Sequence, residues 1–100
     1  MRLDDSFASP IRFSAMAALG EDVELDFRTV GEILDVGDSA LSKALSYLHD
    51  VGYVETRKGV VAGRARTWVR ASRAGREAFA AHLAALREIV ELGGGTGLSP

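Results

Sequence analysis

The sequence predicts a mainly helical α+β domain in which three short helices and one long helix accompany a β-hairpin. Two patterns predict it. Apolar residues recur at steps of three and four, as on one face of a helix, in residues 10–19, 27–34, 38–51 and 73–92. Residues 53–58 and 66–71 are instead rich in valine, threonine and aromatic side chains, which favour strands. One hundred residues suffice for a single hydrophobic core.

The composition narrows the possible functions. The chain has no cysteine, which excludes disulfides and thiolate metal sites and fits a cytoplasmic location. We predict neither a signal peptide nor a membrane-spanning segment. The net charge of −2 is unevenly distributed, because residues 1–56 carry 4 basic and 11 acidic side chains, whereas residues 57–76 carry 7 basic and none acidic. This basic block could attract a polyanion, or it could be a solvated surface without function.

The first third of the chain predicts an arm, a helix and a short strand. Residues 1–8 lack periodicity and are expected to form a flexible arm. Ser9 and Pro10 are typical of a helix start, and Gly20 would end this first helix. The helix is apolar on more than one side, which suggests that a second subunit covers part of it, although Met16 is most simply a core residue. A very short strand is predicted at Val23 and Leu25, beside the acidic Asp22.

Two helices joined by a tight turn are predicted next, and such a pair forms a helix-turn-helix. Asp26 would cap the helix 27–34, and Asp38 would cap the helix 38–51. The second helix has an apolar back and a hydrogen-bonding front, the front consisting of Ser39, Ser42, Lys43, Ser46 and Tyr47. Such a front suits a nucleic-acid groove, although an ordinary amphipathic surface helix would show the same pattern.

The last third predicts a hairpin and a long helix. Residues 59–63 would form a flexible hairpin tip that exposes Val60 and Val61, with Trp68 covering the sheet. Ser72 would cap the helix 73–92. This helix has two apolar stripes, one containing Phe79, Leu83, Leu86 and Val90 and the other Ala78, Ala81, Ala85 and Ile89. One stripe could pack on the body and the other on a partner helix. Residues 93–100 would form a disordered glycine-rich tail.

No pattern indicates catalysis, so we expect no enzyme activity. The glycine runs lack the lysine and following helix of a phosphate loop. His49 and His82 lie far apart in the sequence, and we expect His82 to be a surface residue. We therefore predict no metal site and no cofactor.

This order of elements, α-β-α-α-β-β-α, is that of a winged helix-turn-helix with a long C-terminal dimerisation helix. The segments SPIRFSAMAAL, LDFRTVGEIL, ALSKALSYLHDVGYVE, KGVVAGRARTWVRAS and RAGREAF also resemble the short single-domain transcriptional regulators related to the MarR and ArsR groups. The resemblance covers roughly residues 9–90. It implies a winged-helix DNA-binding domain over residues 9–92, in a bacterial cytoplasmic homodimer that binds double-stranded operator DNA.

The resemblance also implies site residues. Those on the second helix of the helix-turn-helix are Ser39, Ala40, Ser42, Lys43, Ser46 and Tyr47, and those on the wing are Arg57, Lys58, Arg64 and Arg66. Dimerisation through the first and last helices would involve Ile11, Met16, Phe79, Leu83, Leu86, Ile89 and Val90. No residue identifies a small-molecule effector. The alternative is a winged helix that binds another protein through Val60, Val61 and Trp68 without binding DNA.

Overall fold

A computed structural model describes residues 2–20 and 23–95 of the chain. The elements follow in the predicted order: α1 (Pro10–Leu19), β1 (Glu24–Asp26), α2 (Phe27–Leu34), α3 (Asp38–Asp50), β2 (Val54–Val61), β3 (Arg64–Ala71) and α4 (Arg73–Val90). A single 3-10 turn (Asp5–Phe7) precedes α1, and one π-helical turn (Glu91–Gly95) follows α4. The winged helix-turn-helix prediction is confirmed. Asp22, next to the predicted first strand, lies outside the described residues.

Three of the four predicted helix caps are confirmed. The side chains of Ser9, Asp26 and Ser72 each accept a hydrogen bond from a backbone N–H in the first turn of α1, α2 and α4. The prediction for α3 was wrong by one residue, because Gly37 occupies the cap position and Asp38 is already helical. Asp38 still places a carboxylate in the first turn, where the helix dipole favours negative charge.

The core lies between the helices and one face of the sheet. Its fully buried side chains come from α1, α2, α3 and β3, and they include Met16, Leu19, Val30, Leu41, Leu48 and Val69. The apolar back of α3 supplies Leu41, Ala44, Leu45 and Leu48, as its periodicity predicts. Val51, which follows the helix, is exposed instead. The core therefore fixes which face of α3 is left to solvent.

The N-terminal segment is not the flexible arm that we predicted. Phe7 is only 3% exposed and packs against the rings of Tyr53 and Phe79. Asp4 accepts a hydrogen bond from the Tyr53 hydroxyl at 2.7 Å, and its backbone N–H donates to His82 Nδ1 at 3.0 Å. These contacts attach residues 4–7 to the body, because a buried ring and two long-range hydrogen bonds hold them. Met1 lies outside the described residues.

The sheet has the strand order β1-β3-β2 and is antiparallel throughout. The hairpin is longer and its tip tighter than predicted: β2 and β3 pair up to Val61 and Arg64, and only Ala62 and Gly63 form the turn. Both turn residues have positive φ, as a two-residue type I′ hairpin turn requires. Residues 59–61 are therefore paired strand and not a flexible tip.

The long helix α4 packs by one face on the body, and that face combines members of both predicted stripes, Phe79 from one and Ala78 and Ala85 from the other. Gly75, His82 and Ala85 are its buried residues. His82 is 6% exposed, so the prediction of a surface histidine was wrong. The helix also does not stop at Gly93, because the π-helical turn continues to Gly95. The remainder of the predicted tail, residues 96–100, lies outside the described residues.

Candidate nucleic-acid interface

The exposed face of α3 is the centre of the candidate interface. All five residues of the predicted front are exposed, whereas Ala40 is half-buried. Lys43 and Asp50 are seven residues apart, so they lie two turns apart on the same side of the helix. Asp50 is exposed and places a carboxylate at the C-terminal end of this face. The face therefore offers hydroxyl groups and one cation over its first three turns and an acid at its end.

A cleft separates α3 from the hairpin. It encloses about 390 Å³. Its polar lining consists of Ser42, Ser46, His49 and Asp50 from α3 and Thr56, Lys58 and Thr67 from the hairpin. Hydroxyl groups and a lysine are donors that suit phosphate oxygens. On the other side of α3, the guanidinium group of Arg12 lies 3.9 Å from the centre of the Tyr47 ring.

Two of the four predicted wing cations are engaged in ion pairs within the chain. Arg57 binds Glu24 with two hydrogen bonds, Nε to Oε2 at 3.0 Å and Nη2 to Oε1 at 2.8 Å. Arg66 binds Asp26, with Nη1 and Oδ2 separated by 2.5 Å. The Arg57 guanidinium also lies 5.3 Å from the centre of the Trp68 ring, a cation–π contact. Trp68 is thus half-buried beneath Arg57 and is not a free docking side chain.

These pairs change the titration of their members. The hydrogen bond with Arg57 lowers the pKa of Glu24, and the same bond raises the pKa of Arg57. The pKa of Asp26 is lowered by its cap bond from Thr29 and, to a smaller extent, by Arg66. The charged forms are therefore the ones that the folded chain stabilises.

Two further members of the basic block are also paired, Arg70 with Glu55 and Arg73 with Glu77. Cross-strand register explains the Arg70–Glu55 pair, because these two residues lie directly opposite one another on β3 and β2. The block of seven cations is thus partly neutralised by acids from elsewhere in the chain. Within the described part of the chain, neither Lys58 nor Arg64 forms an ion pair.

The predicted dimer residues divide into two groups. Met16 is buried in the core and is not free for a partner, and Phe79 packs edge-on against Phe7 and Phe13 of the same chain. Ile11 and Leu86 are half-buried. Leu83, Ile89 and Val90 are exposed on the second half of α4. The prediction was therefore wrong for Met16, because the chain's own core covers it, whereas Phe79 is half-buried and its place in an interface stays a prediction.

Sequence reasoning missed Arg12, Glu24, Asp26 and Asp50 as determinants of this surface. The helical periodicity of α3 alone could have assigned Asp50 to this face, since it is two turns from Lys43. Among residues 2–20 and 23–95, no group of three His, Cys, Asp or Glu side chains could hold a metal ion. None of the helices in the same ranges is long and apolar enough to cross a membrane.

Comparisons with known proteins agree with this geometry. A family model described as a winged helix DNA-binding domain matches residues 11–90. An uncharacterised protein of Methanocaldococcus jannaschii is 34% identical over 73 residues, which are 73% of this chain and 79% of that protein. The transcriptional regulator homologue protein from Pyrococcus horikoshii OT3 has a structure that matches with a TM-score of 0.82 at 26% identity, covering 95% of this chain and 91% of that chain.

The structure of MarR is also similar. It matches with a TM-score of 0.74 over 88% of this chain and 64% of that chain. At 14% identity this likeness concerns the fold. The predicted resemblance to MarR-like winged-helix regulators is confirmed by the family match and the shared fold.

Proposed function

Because the chain belongs to the winged helix DNA-binding domain family, we propose that it regulates transcription by placing α3 in the major groove of double-stranded DNA. The observation that carries this proposal is the exposed, hydrogen-bonding face of α3 above a completely buried apolar back. A helix in this arrangement presents only its polar face to a groove. The cytoplasmic location expected from the composition remains a prediction.

The side chains on α3 have distinct roles in this proposal. Ser39, Ser42 and Ser46 donate or accept short hydrogen bonds at base edges or phosphates. Lys43 supplies the only cation of this face and binds a phosphate or a guanine edge. Ala40 is small and half-buried, so it lets the helix approach the groove closely. Tyr47 contacts the DNA at the edge of the face nearest α1.

The hairpin contributes phosphate contacts through two cations instead of the four that we expected. Lys58 and Arg64 carry charges that the described part of the chain does not pair. Arg57 and Arg66 instead hold β1 and the start of α2 to the hairpin through Glu24 and Asp26. These two arginines position the hairpin beside α3. The cleft between α3 and the hairpin receives the DNA backbone.

Fluorescence anisotropy with a generic DNA duplex, repeated over a salt series, tests this function. The wild-type protein should bind at low salt and lose affinity steeply as salt rises, because phosphate contacts release counterions. Lys58→Ala combined with Arg64→Ala should lower the log–log salt slope by about 2, roughly 1 for each lost phosphate contact.

The matched control removes two paired cations, with Arg70→Ala combined with Arg73→Ala. It deletes the same charge but should leave the slope nearly unchanged, since both side chains already bind carboxylates. Equal slopes in the two double variants would show that the hairpin cations do not contact phosphates. Failure of the wild-type protein to bind any duplex at low salt would refute the DNA-binding proposal.

A protein-binding function is the second candidate, and one observation favours it: Val60 on β2 is 71% exposed and Val61 is exposed beside it. Ion pairing of Arg57, Arg66 and Arg70 also reduces the charge available to DNA. Under this alternative, the protein would bind no DNA, and Val60→Ser with Val61→Ser would abolish capture of a protein partner. DNA binding that persists in this double variant would favour the first candidate.

We propose in addition that the protein is a homodimer formed through α1 and α4. The second half of α4 exposes Leu83, Ile89 and Val90 along its length. Contiguous exposed apolar side chains are typical of an interaction surface, and a second copy of α4 is the partner that would cover these residues. Ile11 on α1 and Leu86 on α4 are half-buried, and we include both in the proposed interface.

Val90→Glu tests the dimer without disturbing the core, because Val90 is 65% exposed in the single chain. Burying an unpaired carboxylate at an interface is strongly unfavourable, so the variant should be monomeric where the wild type is dimeric. Sedimentation velocity measures this. Ala84→Glu, at another exposed position on α4, should remain dimeric. A dimeric Val90→Glu variant would place the interface elsewhere, and a monomeric wild type would refute the dimer.

A further inference from the structure

Arg12 on α1 reaches the side chain of Tyr47 on α3. Its guanidinium carbon lies 3.9 Å from the centre of the Tyr47 ring, well within the range of a cation–π contact. Tyr47 remains 38% exposed, so the stack covers part of the ring and leaves the rest to solvent. A residue outside the helix-turn-helix therefore contacts a residue of the proposed DNA-binding face.

The N-terminal turn holds Arg12 in place. Arg12 Nε donates to the carbonyl oxygen of Ser6 at 2.7 Å, and Nη2 donates to that of Asp5 at 3.3 Å. Two backbone acceptors fix the plane of the guanidinium group, because its N–H donors form a rigid fork. The plane that stacks on Tyr47 is thus set by residues six and seven positions earlier in the chain.

The N-terminal turn is itself attached to the body of the protein. The Asp4 carboxylate accepts from the Ser6 N–H at 2.9 Å and from the Tyr53 hydroxyl. Burial raises the pKa of Asp4, but the bonds from Tyr53 and Ser6 outweigh it and leave that pKa lowered. The Asp4 N–H donates to the buried His82 on α4. Contacts therefore connect α4, the N-terminal turn, Arg12 and Tyr47 without interruption.

We propose that Arg12 is a positioning residue for DNA recognition, which holds the Tyr47 ring in its binding orientation. The proposal rests on the proposed function, because it requires that α3 binds DNA. An exposed tyrosine on a helix surface exchanges between rotamers, and fixing it costs entropy at the moment of binding. The stack removes part of that cost beforehand, since the supporting turn is already ordered in the free protein.

A direct phosphate contact by Arg12 is the competing explanation for any loss of affinity on mutation, and salt dependence separates the two. A lost phosphate contact lowers the salt slope by roughly 0.9. A lost stack on Tyr47 changes affinity without changing the number of neutralised phosphates. The effect of a lost stack also requires Tyr47, whereas the effect of a lost phosphate contact does not.

A double-mutant cycle on DNA affinity tests the proposal, with Arg12→Met, Tyr47→Ala and the two combined. Methionine keeps a flexible apolar stem and removes the guanidinium group. We expect Arg12→Met to weaken duplex binding about 3- to 10-fold, a size typical of a cation–π contact, with an unchanged salt slope. In the Tyr47→Ala background the same substitution should have no further effect.

Arg12→Lys and Arg73→Met complete the design. Arg12→Lys keeps the charge but loses the planar fork, so it should bind like Arg12→Met and not like the wild type. Arg73→Met removes a cation that is paired with Glu77 on α4 and should bind like the wild type. Thermal unfolding of each variant identifies any that are not folded. If Arg12→Met is not folded, the DNA affinity of Arg12→Lys tests the proposal in its place.

Equal losses from Arg12→Met in the two Tyr47 backgrounds would overturn the proposal, as would a salt slope reduced by about 1. A reduced slope would make Arg12 a phosphate contact, and equal losses would show that Arg12 acts independently of Tyr47; both results leave DNA binding itself intact. Absence of duplex binding by the wild-type protein is a different outcome, which refutes the proposed function and this inference together.

Discussion

Gly75→Ala should destabilise the fold by about 3 kcal/mol or more, an overpacking effect at the upper end of its usual range. A Cβ atom at Gly75 would lie 2.8 Å from the carbonyl carbon of Tyr53 and 2.9 Å from its Cα, and closer still to its carbonyl oxygen. The obstacle is backbone, which cannot rotate away as a side chain would. That carbonyl also accepts a hydrogen bond from the Ser72 N–H at 3.0 Å. Thermal unfolding should show a Tm more than about 10 °C lower.

Gly31→Ala is the matched control, because Gly31 also lies within a helix. Its Cβ would meet Leu41 Cδ2 and the Val36 carbonyl oxygen at 3.5 Å, an ordinary contact distance. Alanine favours a helix over glycine by roughly 1 kcal/mol, so this variant should be as stable as the wild type or more stable. Similar Tm values for Gly75→Ala and the wild type would contradict the close packing of α4 on Tyr53.

Lys43→Glu should have the largest effect on DNA binding, a loss of affinity of at least about 100-fold in roughly 0.1 M salt, since like charges placed together cost several kcal/mol. Lys43 is the cation of the exposed α3 face, and glutamate would place a carboxylate there, on the side of the helix where Asp50 lies two turns further on. The side chain is exposed and glutamate favours helices, so the fold should be unaffected. Anisotropy with the generic duplex measures the loss.

Arg73→Glu changes the charge by the same amount at a distance from α3. Its side chain lies in the first turn of α4, where the helix dipole favours an acid, and it should bind DNA within a few-fold of the wild type. If both charge reversals reduced affinity equally, net charge and not the α3 face would control binding.

Local signals explain why so much of the fold was predictable. A cap residue such as Ser9, Asp26 or Ser72 acts within three positions, and the apolar period of α3 names its buried back directly. The start of α3 was the exception, because Gly37 and Asp38 are both plausible caps and only the turn geometry selects Gly37. The hairpin tip was misjudged for a related reason: a non-glycine residue, Ala62, adopts positive φ there, which sequence preference disfavours.

Long-range pairing explains what sequence reasoning missed. Arg57 and Glu24 are 33 positions apart, Arg66 and Asp26 are 40 apart, and Asp4 and His82 are 78 apart. Nothing local in the sequence identifies such partners, so the sequence indicates an unpaired positive surface at the basic block. In the folded chain, β3 lies between β1 and β2. Glu24 on β1 therefore reaches Arg57 on β2 across β3, and Asp26 reaches Arg66 on β3 itself. The N-terminal turn escaped prediction in the same way, because Phe7 finds its ring partners on α4 and on the α3–β2 connection.

The central claim is that the exposed face of α3 binds DNA, and backbone amide chemical shifts test it most directly. Isotope-labelled protein would be titrated with a generic duplex at low salt. We expect the largest shifts at residues 38–47, with smaller ones at Lys58 and Arg64 and little change at Arg70 or on the second half of α4. Shifts confined to Val60, Val61 and the outer face of the sheet, with α3 unchanged, would contradict the claim.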